Sequence, residues 1–285
     1  VTSRLRGMLA SAGISAADIS FPPGDLIRVN NPSRSLGPEP EDVAASRLVV
    51  ERVNAVNTSA VIELPDESWA RVRASYEAGE GIDRWFAGEV HRKSLTRIFT
   101  GDWTAGGRLY GAFWINLPKA ERGHLTINGR PTVELDYRSL HPAILFAKVG
   151  LSLNRDPYMV PGFEGVPREQ GKRTFNRLLN SEAGSALRFD PEDREHFSSR
   201  SDFRAYVEAM LDHLQPIRSL LVGEGALNSV MLQREDSEIA LAVMDHFASM
   251  GIPILSIHDG FVVESEYRSC LSIIMKRIFW GRFSQ

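Results

Sequence analysis

Two aspartates stand where short apolar runs end, a position that suits a ligand-binding carboxylate. Asp259 lies in His258-Asp259-Gly260, between two apolar runs within residues 251–264. The pattern predicts two buried strands joined by a tight turn with an acid at its tip. We expect Gly260 to supply the positive φ of that turn. A buried sheet has little reason to hold an acid at such a junction unless the acid binds a ligand, and the alternative is a plain turn aspartate.

The other aspartate, Asp136, ends a predicted hairpin. Residues 124–136 contain two β-rich runs around an Asn-Gly pair, which is a strong hairpin signal. A helix is predicted to follow from Pro142. If the strands of Asp136 and Asp259 are neighbours, the two carboxylates can share two divalent cations roughly 3.5–4 Å apart. Such hard oxygen ligands favour Mg²⁺ or Mn²⁺ over zinc.

A row of polar side chains at four-residue spacing adds a basic surface. Its members are Arg168, Lys172, Asn176 and Asn180. On a helix they share one face, and the arginine fork and the lysine charge suit a triphosphate. The alternative is a solvated basic helix face. Phe175 and Leu179 lie off this stripe, which favours an active-site helix with a packed back.

A basic segment from Arg84 to Arg108 precedes a strand rich in aromatic residues. The pair Gly106-Gly107 would let the backbone approach a ligand closely, and Arg108 follows at once. Arginine beside aromatic rings is typical of a surface for phosphates and bases. The alternative is a strand with core aromatics and one salt-bridged arginine.

Composition limits the classes of function. The chain has 285 residues and a net charge of −3, so any nucleic-acid site must be a local patch. One cysteine excludes a disulfide framework and favours a reducing compartment, the cytoplasm. No apolar run reaches about 18 residues, so we expect no membrane span.

Helical periodicity organises the remainder of the chain. It predicts helices over residues 41–56 and onward from Asp66, Asp202 and Asp236, the last of them ended by Gly251. His213 and His246 are expected to be surface residues of these helices.

Together these pieces resemble the palm of a right-hand nucleic acid polymerase. Asp136-Tyr137 resembles the first catalytic motif of family A DNA polymerases, and the segment from Asp136 to His141 and the following proline resembles the family B version. His258-Asp259 resembles the last catalytic motif of family A enzymes and of single-subunit bacteriophage RNA polymerases.

Two further motifs complete the resemblance. The row from Arg168 to Lys172 resembles the nucleotide-binding helix of these enzymes, with Asn180-Ser181 where that helix normally ends in Tyr-Gly. Gly107-Arg108 resembles the Gly-Arg template-strand element of the single-subunit RNA polymerases. The motifs span about residues 98–265 in the expected order.

The resemblance implies an α+β fold. It consists of an antiparallel palm sheet of the polymerase right-hand type, with a helical fingers insertion at about residues 160–230. A mainly helical and loop module over residues 1–95 would precede a palm over residues 96–285. The implied activity is template-directed nucleotidyl transfer by a compact DNA polymerase-like enzyme. Its partners would be nucleoside triphosphates and a DNA primer–template or other nucleic acid.

The resemblance also implies a role for each motif residue. Two Mg²⁺ or Mn²⁺ ions would bind the catalytic pair Asp136 and Asp259. Nucleotide binding would fall to Arg168, Lys172, Asn176, Asn180, His141 and Tyr137, and nucleic-acid binding to Arg108, Gly107 and His258. A bulky His141 near the sugar would exclude a 2′-hydroxyl, which favours deoxynucleotides.

Two other functions remain open on the sequence. A two-metal nuclease could use the same acids with Glu264 and His258 as further ligands. A catalytically silent palm could bind only nucleic acid or protein. The small size of the chain favours a specialised protein of a phage or mobile element.

Overall fold

The protein is described by a computed structural model that covers residues 8, 11–13, 25–33, 35–78, 92–181, 187–222 and 226–283. Within these ranges it is an α+β protein with two sheets, which confirms the expected class. Arg84 and His91 of the basic segment lie outside the described residues. No helix in the described ranges is both long enough and apolar enough to cross a bilayer.

The strands and the α-helices of the described chain are each numbered in chain order. The strands are β1 (Ile27–Asn30), β2 (Ile62–Glu63), β3 (Thr96–Thr100), β4 (Asp102–Tyr110), β5 (Thr126–Ile127), β6 (Arg130–Asp136), β7 (Leu255–Ile257) and β8 (Gly260–Glu264). The α-helices are α1 (Glu41–Ser59), α2 (Asp66–Glu77), α3 (Lys119–Arg122), α4 (Leu140–Lys148), α5 (Arg168–Leu179), α6 (Arg200–His213), α7 (Arg218–Val222), α8 (Ser229–Ser249) and α9 (Arg268–Phe283).

The predicted helices are present, but three of them, α4, α6 and α8, begin earlier than expected. The Ser199 side chain accepts a hydrogen bond from the Asp202 backbone and caps α6. The Asn228 side chain does the same for Met231 at the start of α8. These polar caps satisfy free N–H groups of the first turn, so the caps, and not the later acids, mark the helix starts.

A five-stranded antiparallel sheet lies at the centre of the fold. Its strand order is β2-β5-β6-β8-β7, which places β6 and β8 side by side. Every residue of β8 is buried. Because successive side chains of a strand point to opposite faces, both faces of the sheet are covered there.

The Asn-Gly hairpin is confirmed. Asn128 and Gly129 have φ values of 51° and 73°, and they connect the antiparallel pair β5 and β6. Positive φ at both central residues is the backbone of a tight hairpin turn that only such residues adopt readily. This turn fixes the register of β6, the strand that ends at Asp136.

The boundary expected at residue 95 does not separate two units of the described chain. In the second sheet, β1 pairs in parallel with β3, and β3 pairs with β4. In the central sheet, β2 pairs with β5. Both early strands therefore belong to sheets that later residues complete, and α1 packs against α8. Backbone pairing between distant segments thus crosses the expected boundary.

A second hydrophobic core forms in the helical part of the chain. It contains residues of α4 to α9 and the loop before α5, among them Phe175, Phe203 and Tyr206. The segment expected to be helical at about residues 160–230 is thus helical over most of its described length. His213 lies in this core, with Nε2 3.0 Å from the Asp156 carbonyl oxygen, so the expected surface position for it is wrong.

Candidate active site

Asp136 and Asp259 meet at one edge of the central sheet. Asp136 is the last residue of β6 and pairs with Gly260, the first residue of β8. The Tyr137 backbone N–H donates to the Asp259 carbonyl at 3.1 Å. The neighbouring strands that the metal hypothesis required are therefore present.

The turn that carries Asp259 is built differently from the prediction. His258, and not Gly260, has positive φ, at 57°. Gly260 leaves space instead, since a Cβ there would lie 2.2 Å from Oδ1 of Asp136 and would displace that carboxylate. The glycine thus lets the carboxylate of one strand lie against the backbone of the next.

The electrostatics of the two acids differ. Burial raises the pKa of Asp259, and the carboxylates of Asp236 and Asp136 add to the rise, while a backbone N–H and Arg108 oppose it. Asp136 accepts a hydrogen bond at 2.9 Å from Lys119, whose side chain is 73% exposed. Among the described residues, no side chain donates a hydrogen bond to the Asp259 carboxylate.

This donor set fits a hard divalent cation. Two neighbouring carboxylates with surplus negative charge are relieved by Mg²⁺ or Mn²⁺, which prefer oxygen ligands. In the described ranges, no group of three or more His, Cys, Asp or Glu residues gathers in a metal-binding arrangement. Asp136 and Asp259 would therefore hold the ion together with water or substrate oxygens, which is usual for Mg²⁺.

Helix α5 forms the basic wall of the same cleft. Arg168, Lys172, Asn176 and Asn180 all line it, as their spacing predicts. Arg168 is held by Asp156 at 2.8 Å and lies over the Tyr158 ring. Lys172 is exposed and has no ion pair within the described chain. The wall thus combines one fixed cation with one free cation.

The back of α5 is fastened by a closed ion-pair cluster around Asp193. This carboxylate is fully buried and accepts hydrogen bonds from Gln170, Arg173 and Arg177 at 2.8 to 3.0 Å. Gly171 lies so close to Tyr158 that a Cβ would be 2.0 Å from its carbonyl oxygen. These contacts anchor the back of α5, while its polar ridge lines the cleft.

Arg108 and His141 both bind Asp236, an acid that the sequence pattern indicates only as a helix start. Asp236 of α8 has no exposed side-chain surface. It accepts hydrogen bonds from Nε and Nη2 of Arg108 and from Nε2 of His141, the last at 2.9 Å. A usable signal was its spacing of three and seven residues from Ile239 and Val243, which places an acid on the buried face of the helix.

Gly107 is not part of the cleft. It is buried with φ +82°, and a Cβ there would lie 3.0 Å from the Ser237 hydroxyl and 3.1 Å from the Phe99 ring. Its small size allows β4 to pack against α8, so its predicted close approach is to protein and not to a nucleic acid.

Two aromatic site residues are more constrained than expected. Burial, with Arg108 next, lowers the pKa of His258 to about 4. The neutral ring packs edge-on against Tyr110, and its Nδ1 is buried without a hydrogen-bond partner among the described residues. The Tyr137 hydroxyl donates to the Met275 carbonyl oxygen at 2.7 Å, so only the rest of that side chain is available to a nucleotide.

One open cleft of about 730 Å³ gathers the residues predicted for the polymerase site with the exception of Gly107, and Glu264 of the nuclease alternative also lies outside it. Residues that the sequence did not single out also line it: Arg122, Glu134, Arg138, Ser139, Leu140, Tyr158, Ser229, Gln233 and Ile257. Arginine and lysine line this cleft together with carboxylates, an arrangement that can bind an anionic substrate together with a divalent cation. No protein-family model matches this chain, and no curated protein does.

Proposed function

We propose that the protein is a template-directed nucleotidyltransferase of the DNA polymerase type, which acts on nucleoside triphosphates and a primer–template. The observation that carries the proposal is the cleft itself. Asp136 ends β6, Asp259 lies in the turn just before the neighbouring strand β8, and the ridge of α5 lines the same cleft. One wall thus suits divalent cations and the other suits phosphates.

Asp136 and Asp259 would hold two divalent ions. When bound, such ions lower the pKa of an attacking hydroxyl and offset charge on the phosphates and the leaving group. The protein contributes the proximity, because β6 pairs with β8 and the Tyr137 backbone N–H donates to the Asp259 carbonyl oxygen, which brings the two acidic residues to the same end of the sheet.

The phosphate contacts come from α5. Lys172 has no carboxylate partner within the described chain, so its ammonium group is available to a triphosphate. Arg168 keeps its position through Asp156 and the Tyr158 ring, which reduces the entropy lost when its remaining N–H groups bind an anion. Asn176 and Asn180 continue the ridge and offer hydrogen bonds further along a nucleotide.

His141 would define the space beside the sugar. Its ring lines the cleft and is tied through Nε2 to the buried Asp236, so it has little freedom to withdraw. A fixed ring next to the first acid excludes bulk at the 2′ position, which supports a preference for deoxynucleotides.

The nuclease alternative loses one of its proposed ligands. Glu264 stands at the other end of β8, four residues from Gly260, which corresponds to about 13 Å along a strand. Its carboxylate contacts Asn128 at 3.1 Å and Arg130 at 3.2 Å. It therefore belongs to the hairpin end of the sheet and not to the site of Asp136 and Asp259.

Extension of a labelled primer–template tests the proposal. Reactions contain Mg²⁺ or Mn²⁺ with either dNTPs or NTPs, and they compare the native chain with Asp136→Asn. We expect metal-dependent extension that is lost in the variant, with dNTPs preferred. Shortening of the primer without triphosphates would support a nuclease instead, and an unchanged primer with retained nucleic-acid binding would support a silent palm.

A further inference from the structure

Two carboxylates of different character lie near Arg108. One is Asp236, fully buried, which receives its Nε and Nη2 hydrogens. The other is Asp259, which lines the same cleft and lies within electrostatic reach of the guanidinium group. Arg108 itself is 18% exposed on the cleft side. The cation is therefore committed to one acid while a second acid is nearby.

The hydrogen bonds of Asp236 hold the Arg108 guanidinium group in place. Its Oδ1 accepts from Arg108 Nε at 3.1 Å, and its Oδ2 accepts from both Arg108 and His141. The histidine bond fixes the rotation of the carboxylate, so both oxygens stay directed at their donors. A charge-assisted fork of this kind is stronger and more directional than a single neutral hydrogen bond.

An arginine released from Asp236 would have an obvious new partner. The Asp259 carboxylate receives no side-chain hydrogen bond within the described chain. A guanidinium group pairs readily with a carboxylate in a partly desolvated site, where charge attraction is stronger than in water. Such a pair would occupy the oxygens that a divalent cation needs.

We propose that Asp236 is a positioning residue that keeps Arg108 away from Asp259 and so leaves the two-aspartate site open to a divalent cation. The inference rests on the proposed function in one respect only, that Asp136 and Asp259 bind the ion. It assigns to Asp236 a role in cation access, in addition to its role in packing α8 against β4.

Binding of Mn²⁺ alone to the full chain tests this role, measured by titration calorimetry and by the spin-resonance signal of the free ion. Asp236→Asn replaces one acceptor with an amide whose N–H₂ repels the guanidinium group. We expect it to weaken Mn²⁺ binding about 10- to 100-fold, the usual effect of removing a group that orients a metal site. In Asp236→Asn/Arg108→Gln, the arginine that would compete is absent, and most of the affinity should return.

Two further variants keep the test decisive if Asp236→Asn folds poorly. Arg108→Gln by itself should bind Mn²⁺ at least as tightly as the native chain, because Asp236 then has no arginine to restrain. Asp193→Asn is the matched control, since Asp193 is also fully buried and also paired with arginines but lies away from the cleft. Measured below its unfolding temperature, it should keep native affinity.

Three results would overturn the inference. They are native affinity in Asp236→Asn, an Asp236→Asn/Arg108→Gln variant as weak as Asp236→Asn, and native protein whose Mn²⁺ binding does not depend on Asp259. Native protein that binds Mn²⁺ through Asp259 but extends no primer would reject the polymerase proposal and leave the role of Asp236 intact. The two failures are therefore distinguishable.

Discussion

Asp193 and Asp236 are both fully buried aspartates paired with arginine, yet their surroundings differ. Asp193 accepts hydrogen bonds from Gln170, Arg173 and Arg177 behind α5, away from the cleft. Asp236 accepts from Arg108 and His141, and both of those side chains line the cleft. Asp193 therefore belongs to a cluster that lies away from the cleft, whereas Asp236 binds two side chains that line it.

This difference separates stabilising charges from charges that can act on a ligand. A buried carboxylate whose oxygens already accept hydrogen bonds from protein groups cannot bind a ligand as well. Its removal therefore changes the free energy of unfolding. In the cleft, Asp259 and Lys172 have no side-chain partner among the described residues and are available to a ligand. Their removal should therefore change binding or catalysis. Four variants test whether that separation holds.

Asp259→Asn should have the largest effect. We expect primer extension to fall at least about 100-fold, since a charge aimed at the reacting groups is lost. Thermal stability in EDTA should be unchanged or higher, because burial disfavours the charged form of this acid, as its raised pKa indicates. Single-turnover extension and thermal unfolding measure the two effects, and retained extension would remove Asp259 from the site.

Asp193→Asn should act in the opposite way. Loss of charge-assisted hydrogen bonds to Arg173 and Arg177 should lower the free energy of unfolding by about 2 kcal/mol. Extension per folded molecule should stay near the native rate. Urea unfolding and an active-site titration check this, and a large loss of activity without loss of stability would break the comparison.

Lys172→Ala should affect the triphosphate selectively. Removing the free cation of the α5 ridge should raise KM about tenfold, which corresponds to about 1.4 kcal/mol of binding energy. Stability should hardly change, because the side chain is exposed. Lys276→Ala removes an exposed lysine of α9 outside the cleft and is the matched control. Equal changes in KM in both variants would contradict a specific phosphate contact.

The smallest predicted effect is the acid sensitivity of Asp190, which accepts a hydrogen bond from Arg173 of the Asp193 cluster. Burial alone would raise the pKa of Asp190, but the hydrogen bond from Arg173 and other contacts lower it to about 2. Its contribution to stability is therefore complete above about pH 4 and is lost as the pH falls towards 2. Urea unfolding of Asp190→Asn should differ from the native chain at pH 7 and converge with it near pH 2. A constant difference would contradict this assignment.

Local features of the chain could be predicted because they depend on nearby residues. The positive φ values of Asn128 and Gly129 are a property of that dipeptide, and the four-residue spacing from Arg168 places a polar face on any helix. Predictions that needed long-range contacts succeeded less well. Gly107 was expected at a ligand and packs against α8, and Glu264 was offered as a metal ligand and binds the hairpin.

The sequence by itself determined the tight hairpin before Asp136, the presence of a turn at Asp259 and the polar ridge of α5. Each follows from propensity, periodicity or turn chemistry within about fifteen residues. Only the tertiary structure decided that Asp236 accepts hydrogen bonds from Arg108, a residue 128 positions away, and that Gly260 lies directly against the Asp136 carboxylate. Such contacts depend on how strands and helices pack, and a local pattern carries no information about which distant side chain will be its neighbour.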